Sequence, residues 1–262
     1  MADRSPSLVT VAADTRRSPC NTGWSRTASS QVKRVSDTTL RYGCPLMFVK
    51  ICGITSEDDA LLAVAMGADA VGFIMAPSPR QIAPQRVYDI TRRLPPEILT
   101  VGVFKNELPS RVVELAHRSG VKAVQLHGGT PDQSREVASH FRWFIKAFHA
   151  GDDSLPRADQ YGTDMIILDA PSPGSGKVFD WNLAGDAPDS LKLILAGGLN
   201  PDNVAAAIAE VEPWGVDVAT GVERSPGKKD PLAVKHFIEN ARGAAPEQYL
   251  GDENMPYDWG IE

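Results

Sequence analysis

Eight short runs of apolar and β-branched residues recur at nearly even spacing, and that rhythm narrows the possible folds more than any other feature of the chain. The runs are FVKIC (48–52), AVGFI (70–74), LTVGVF (99–104), KAVQL (122–126), RWFIKAF (142–148), DMIILD (164–169), LKLILA (191–196) and GVDVA (215–219). Most lack the apolar–polar alternation of a half-exposed strand, so they read as parallel strands covered by helices. Helical patterns lie between them. SEDDALLAVAMG opens on Ser56 as a candidate N-cap with acids in its first turn, and stops at Gly67. PSRVVELAHRSG has Pro109 at its start and Gly120 at its end, and NPDNVAAAIAEV and DPLAVKHFIENARG follow the same grammar. The stretch 151–162 is the weakest helix, because Gly151, Pro156 and Gly162 interrupt it.

Eight such units between residues 47 and 243 predict an α/β chain with one domain, a (β/α)8 TIM barrel. An open doubly wound sheet uses the same alternation but carries its Gly-rich phosphate fingerprint after the first strand. No GxGxxG follows FVKIC; the glycines come late, in LAGGLN and ATGVERSPGKK, after strands seven and eight. Barrels commonly hold a phosphate at those two strand ends.

Composition limits what else the 262-residue chain can be. The net charge of -6 argues against a nucleic-acid partner, and no apolar run is long enough to span a bilayer. Cys20, Cys44 and Cys52 cannot all pair and show no CxxC spacing, which favours a reducing, cytoplasmic setting and gives no sign of zinc. The five histidines are scattered, so neither a metal nor a cofactor is expected. Residues 1–46 carry seven Arg or Lys against three Asp, a balance of +4 that leaves -10 on the remainder. Rich in Ser and Thr and without apolar periodicity, this segment is expected to be a disordered basic extension. Residues 244–262 form an acidic tail whose Tyr249, Tyr257 and Trp259 could dock on the domain.

Chemistry in a barrel gathers at the C-terminal strand ends. Strand one ends at Cys52, and the loop after strand two carries Arg80. Strand four ends with Gln125 and His127, and strand six with Asp169 ahead of the Gly- and Pro-rich APSPGSGKVFDW. Gly197 and Gly198 precede a helix start, where backbone N–H groups cradle anions, and Ala219, Thr220 and Gly221 can complete that cradle. Each residue taken alone has a plainer reading. Cys52 is most often a buried structural thiol, Asp169 a loop cap and Arg80 a solvated surface charge. Asp217 either orients the phosphate loop or pairs with a lysine inside the barrel, while Lys228 and Lys229 read as surface charges at a helix entry.

The segments KICGIT, GADAVGFI, VGVF, VQLHG, GSGKVFDW, GGLNPDNV and GVDVATGVE…PGKKD, in this order, resemble the phosphoribosylanthranilate isomerases of tryptophan biosynthesis. The resemblance spans residues 48 to about 242 and neither extension. It implies a cofactor-independent Amadori rearrangement of phosphoribosylanthranilate, an aminoaldose phosphate, with Cys52 as general base and Asp169 as general acid. It further implies Arg80 on the anthranilate carboxylate, Gln125 and His127 in the pocket floor, and the phosphate on Gly197, Gly198 and the Ala219–Gly221 turn. Lys50, two residues before Cys52 on the same strand face, is expected to lower the thiol's pKa. Proteins of this family occur as monomers or homodimers, and either state is open for this chain. The chain departs from the family in three places. ATG stands where two serines are common, Pro173 where a second glycine is common, and MAPSPR lacks an aromatic. The histidine-pathway isomerase, with an aspartate at the end of strand one, ranks second because Cys52 stands there. A barrel that only binds a sugar phosphate ranks third, and an indole-forming synthase lower still, since its lysine and glutamate pattern is not seen.

Overall fold

The computed structural model describes residues 47–170 and 180–245. The basic extension with Cys20 and Cys44, the strand-six loop over 171–179 with Pro173, and the tail beyond 245 lie outside the described residues.

Eight strands close into a parallel barrel in chain order. They are β1 (Phe48–Ile51), β2 (Ala70–Ile74), β3 (Leu99–Lys105), β4 (Ala123–His127), β5 (Trp143–His149), β6 (Met165–Asp169), β7 (Lys192–Leu195) and β8 (Gly215–Val218), and β8 pairs back onto β1 with Lys50 opposite Asp217. Alternate residues divide each strand between two cores. Val49, Ile51, Val71, Phe73, Val216 and Val218 face outward under the helices, while Phe48, Leu99, Val101, Ile145, Met165, Ile167 and Ile194 fill the inside. Each fully buried side chain of this kind contributes about 1.5–3 kcal/mol. Phe48 stacks on Trp214 with ring centroids 4.7 Å apart, closing the N-terminal end of the barrel. Polar groups are thereby left to the opposite end.

The helices are α1 (Glu57–Ala65), α2 (Pro84–Thr91), α3 (Pro109–Ser119), α4 (Pro131–Ala138), α5 (Val204–Val211) and α6 (Pro231–Gly243). Ser56 Oγ accepts from Asp59 N at 3.2 Å to cap α1, and α3 stops at Gly120 in the left-handed region with φ 65°. After β5 and β6 the described chain forms 3-10 turns, Leu155–Tyr161 and Trp181–Asp186, so those two units depart from the expected strand–helix alternation. In the first of them, Pro156 and Gly162 cut the run short and Arg157 leaves helical geometry at φ -117°. No helix among the described residues is long and apolar enough to cross a membrane.

Between β8 and α6 the chain makes a small antiparallel hairpin, β9 (Glu223–Ser225) and β10 (Lys228–Lys229). Thr55 Oγ1 donates to Gly227 O at 2.5 Å, tying the hairpin to the loop after β1.

Candidate active site

Cys52 sits one residue beyond β1, its N–H donating to Val218 O at 2.8 Å. Gly53 follows at φ 75°, and a Cβ there would stand 2.7 Å from Arg80 Cδ, so the turn requires glycine twice over. Opposite, Gly72 on β2 leaves a notch. A Cβ on Gly72 would lie 2.8 Å from Cys52 Sγ and 3.2 Å from Lys50 Nζ, so thiol and ammonium share that space.

Lys50 is fully buried and donates to Asp217 Oδ1 at 2.9 Å, the second of the two roles open to Asp217 from sequence. Burial opposes the Lys50 charge, yet Asp217 and then Cys52 hold its pKa above the ordinary lysine range. Burial also pushes the Cys52 thiol up; Lys50 and Lys229 pull it down, Asp217 pushes it further up, and the net direction is upward. The expected lowering by an electropositive neighbourhood is therefore corrected. Desolvation is the larger effect, and Asp217 offsets much of the field of Lys50.

Asp169 closes β6 at the mouth. Its Oδ1 accepts from Ala170 N at 2.8 Å, which favours the anion, but burial outweighs this and raises its pKa to about 6. Asp217 adds to the rise, and Lys50 and Lys105 oppose it.

Arg80 is not a solvated surface residue: it is 8% exposed. Its Nε and Nη2 form a fork on Glu223 Oε1 and Oε2, each at 2.7 Å, and Nη2 also donates to Thr220 Oγ1 at 3.2 Å. Nη1 has no hydrogen-bond partner among the described residues. Lys229, expected as a surface charge, is 1% exposed, because the β9–β10 hairpin turns it inward. Its Nζ donates to Ala219 O at 2.9 Å and to Glu223 Oε1 at 3.1 Å. Lys228 is exposed, as expected.

Gln125 is buried, with Nε2 lying 3.0 Å from His127 Nε2 and Oε1 without a hydrogen-bond partner among the described residues. Burial, with His149, Lys146, Lys50 and Lys105 adding to it, drives the His127 pKa down to about 3. The ring is neutral at physiological pH. The His149 ring lies 6.1 Å from that of His127, and His149 pairs in register with Asp169.

On the far side, Gly197 and Gly198 both take positive φ, 81° and 73°. A Cβ on Gly197 would strike Ala170 N, and one on Gly221 would strike Leu199 O, so the β7 and β8 loops touch backbone to backbone. Gly197, Gly198, Ala219, Thr220 and Gly221 are all partly exposed at this seam, near the start of α5. Asn203 Nδ2 holds Gly198 O at 3.0 Å and Asn203 Oδ1 accepts from Asn200 N at 2.8 Å, which stiffens the turn.

Sequence reasoning missed four participants: Gly72, Lys105, Glu223 and His149. Lys105 and His149 were lost because β3 and β5 each run one residue further than their apolar runs. Glu223 stands in the quoted ATGVE, but nothing local marks its pairing with Arg80, a residue 143 positions away. Among the described residues no group of three or more His, Cys, Asp or Glu side chains is gathered for a metal ion.

Comparison with known proteins agrees with this arrangement. The family model for N-(5'-phosphoribosyl)anthranilate (PRA) isomerase matches residues 49–240. The N-(5'-phosphoribosyl)anthranilate isomerase of Desulforudis audaxviator is 50% identical over 210 residues, covering 76% of this chain and 100% of that one. The crystal structure of phosphoribosyl anthranilate isomerase from Thermotoga maritima superposes with a TM-score of 0.70 at 45% identity, over 76% of this chain and 100% of that one. A further isomerase structure, in complex with reduced 1-(o-carboxyphenylamino)-1-deoxyribulose 5-phosphate, gives a TM-score of 0.66 at 42% identity, with the same coverage. An eight-stranded parallel barrel with these residues at its mouth, matched by the family model over its whole span, is thus an isomerase, and the chain belongs to the N-(5'-phosphoribosyl)anthranilate isomerase family.

Proposed function

We propose that the chain converts phosphoribosylanthranilate into 1-(2-carboxyphenylamino)-1-deoxyribulose 5-phosphate, with Asp169 as general acid and Cys52 as general base. The observation that carries this reading is a carboxyl whose pKa burial raises to about 6, at the same barrel mouth as a free, buried thiol. Asp169 donates its proton to the furanose ring oxygen as the ring opens to the Schiff base. Ionised Cys52 removes the proton from C2, giving the enolamine, which gains a proton at C1 and loses one from the C2 hydroxyl to become the ketone. One proton has then left Asp169 and one has reached Cys52, and solvent carries it back. Each positioned group contributes about 10²–10⁴-fold.

Arg80 presents its Nη1 to the anthranilate carboxylate, because Glu223 already takes the other edge of the guanidinium. Neutral His127 and Gln125 line the floor, with the Gln125 Oε1 left for a substrate donor. The amides of Gly197, Gly198 and the Ala219–Gly221 turn hold the phosphate; the missing serine hydroxyls leave backbone donors in place. The catalytic unit is residues 47–243, with 1–46 and 244–262 as appendages, in a reducing cytoplasmic setting where Cys52 stays a thiol.

The test is turnover of phosphoribosylanthranilate made in situ, followed by loss of its anthranilate fluorescence, with Cys52→Ala and Asp169→Ala alongside. Turnover by the native chain with both folded variants near background supports the reading. A silent native chain, or a Cys52→Ala variant of unchanged rate, overturns it.

A further inference from the structure

Inside a barrel otherwise filled by Phe48, Leu99, Val101, Ile145, Met165 and Ile194, one charged pair is buried directly beneath the candidate base. Lys50 is 0% exposed and Asp217 8%. Such a pair contributes little net stability, since desolvating two charges costs about what their attraction returns, and apolar replacements are often neutral or better. Packing therefore gives it no clear purpose.

Its geometry points elsewhere. An ammonium has three donors, and the described residues offer the Lys50 Nζ a single hydrogen-bond acceptor, Asp217 Oδ1. The rest of Nζ faces the notch at Gly72, where Cys52 Sγ also lies. The charged groups around the thiol are Lys50 on its own strand, Asp217 on β8, Lys229 on β10 and Arg80 in the loop after β2. Lys229 and Arg80 both rest on Glu223, so their fields at Cys52 are largely spent. Lys50 alone combines complete burial with donors left to offer.

We propose that Lys50, kept protonated by Asp217, is a positioning residue that stabilises the Cys52 thiolate and orients its sulfur toward the mouth. Asp217 acts at one remove, as the anion that lets an ammonium persist in an apolar interior. Lys50 stays an ammonium throughout: Cys52 sheds its proton to water before turnover and becomes a thiol again on taking the substrate's. This deepens the reading of Cys52 as the base and rests on it for its catalytic meaning, though the charge coupling itself does not.

The experiment uses the full chain in a Cys20→Ser/Cys44→Ser background, leaving Cys52 as the only thiol. Iodoacetamide labelling of Cys52 is timed by mass across the pH range, in the parent and in Lys50→Met/Asp217→Asn, which removes both charges together and leaves neither stranded. Labelling of the double variant at least tenfold slower at pH 8, with its pH midpoint moved up by a unit or more and its urea midpoint unchanged or higher, is expected. Labelling at the parent's rate and midpoint overturns the proposal, whatever happens to stability. Should the Met/Asn pair not fold, Lys50→Gln/Asp217→Asn carries the same test. If Cys52→Ala keeps its turnover, the base assignment fails separately, and the labelling still judges Lys50.

Discussion

The pH profile of kcat/KM is the sharpest consequence of the site's electrostatics. Asp169 stands at about 6, and Cys52 above the ordinary thiol value of about 8.5. The base thus ionises at a higher pH than the acid, so a protonated Asp169 beside an ionised Cys52 is always a minority form. With the two values more than about two units apart, fewer than about one molecule in a hundred carries that form at any pH between them. Below about pH 6, each unit of acidification removes tenfold of the thiolate while Asp169 gains nothing, and the rate falls with unit slope. Between the two values, the loss of protonated Asp169 is offset by the gain of thiolate, and the profile is flat. Above the Cys52 value the thiolate is complete and only the acid is lost, so the rate falls again. The assay is kcat/KM by anthranilate fluorescence from about pH 4.5 to 10 at constant ionic strength. A rate still climbing as pH falls through 6, or an upper limb beginning below about pH 8, would refute the reasoning. The Lys50→Met/Asp217→Asn pair should lower the plateau and move the upper limb further up, leaving the lower limb in place.

Two further outcomes follow from the same groups. Asp169 has a folded-state pKa of about 6, above the ~3.9 of an unfolded aspartate, so its ionisation costs stability as pH rises through that window. Asp169→Asn should therefore be more stable than the native chain by about 1–2 kcal/mol at pH 7.5, with the gain gone near pH 4 in urea titrations; equal stability at both pH values would contradict the raised pKa. Glu223→Gln removes the charge on which Arg80 and Lys229 both rest. It should cost about 3 kcal/mol in urea and raise KM far more than it lowers kcat, and an unchanged KM would show that Arg80 does not depend on Glu223.

Much of this was legible residue by residue. The eight apolar runs correspond to the eight barrel strands within a residue or so, because a strand buried on both faces must be apolar nearly throughout, whatever surrounds it. Ser56 and Gly120 marked a helix start and a helix end, because caps are local. Legibility faded where a local rule met a longer-range one. Lys105 and His149 looked like loop residues because a polar side chain ends an apolar run. In a closed barrel, the last inward position of a strand is the one that meets a ligand.

By itself, then, the sequence determined the alternation, and with it a barrel whose chemistry belongs at the strand ends, and it named Cys52 and Asp169 as the groups able to move protons there. Charge was decided only by the tertiary structure. Lys229 turned from surface to core when a hairpin folded it back, and Arg80 became one arm of a pair with Glu223. The Cys52 thiol went up where sequence had it going down. Each of these depends on which distant residues share a desolvated space, and an electrostatic energy in such a space is set by neighbours and burial that no local window of sequence contains.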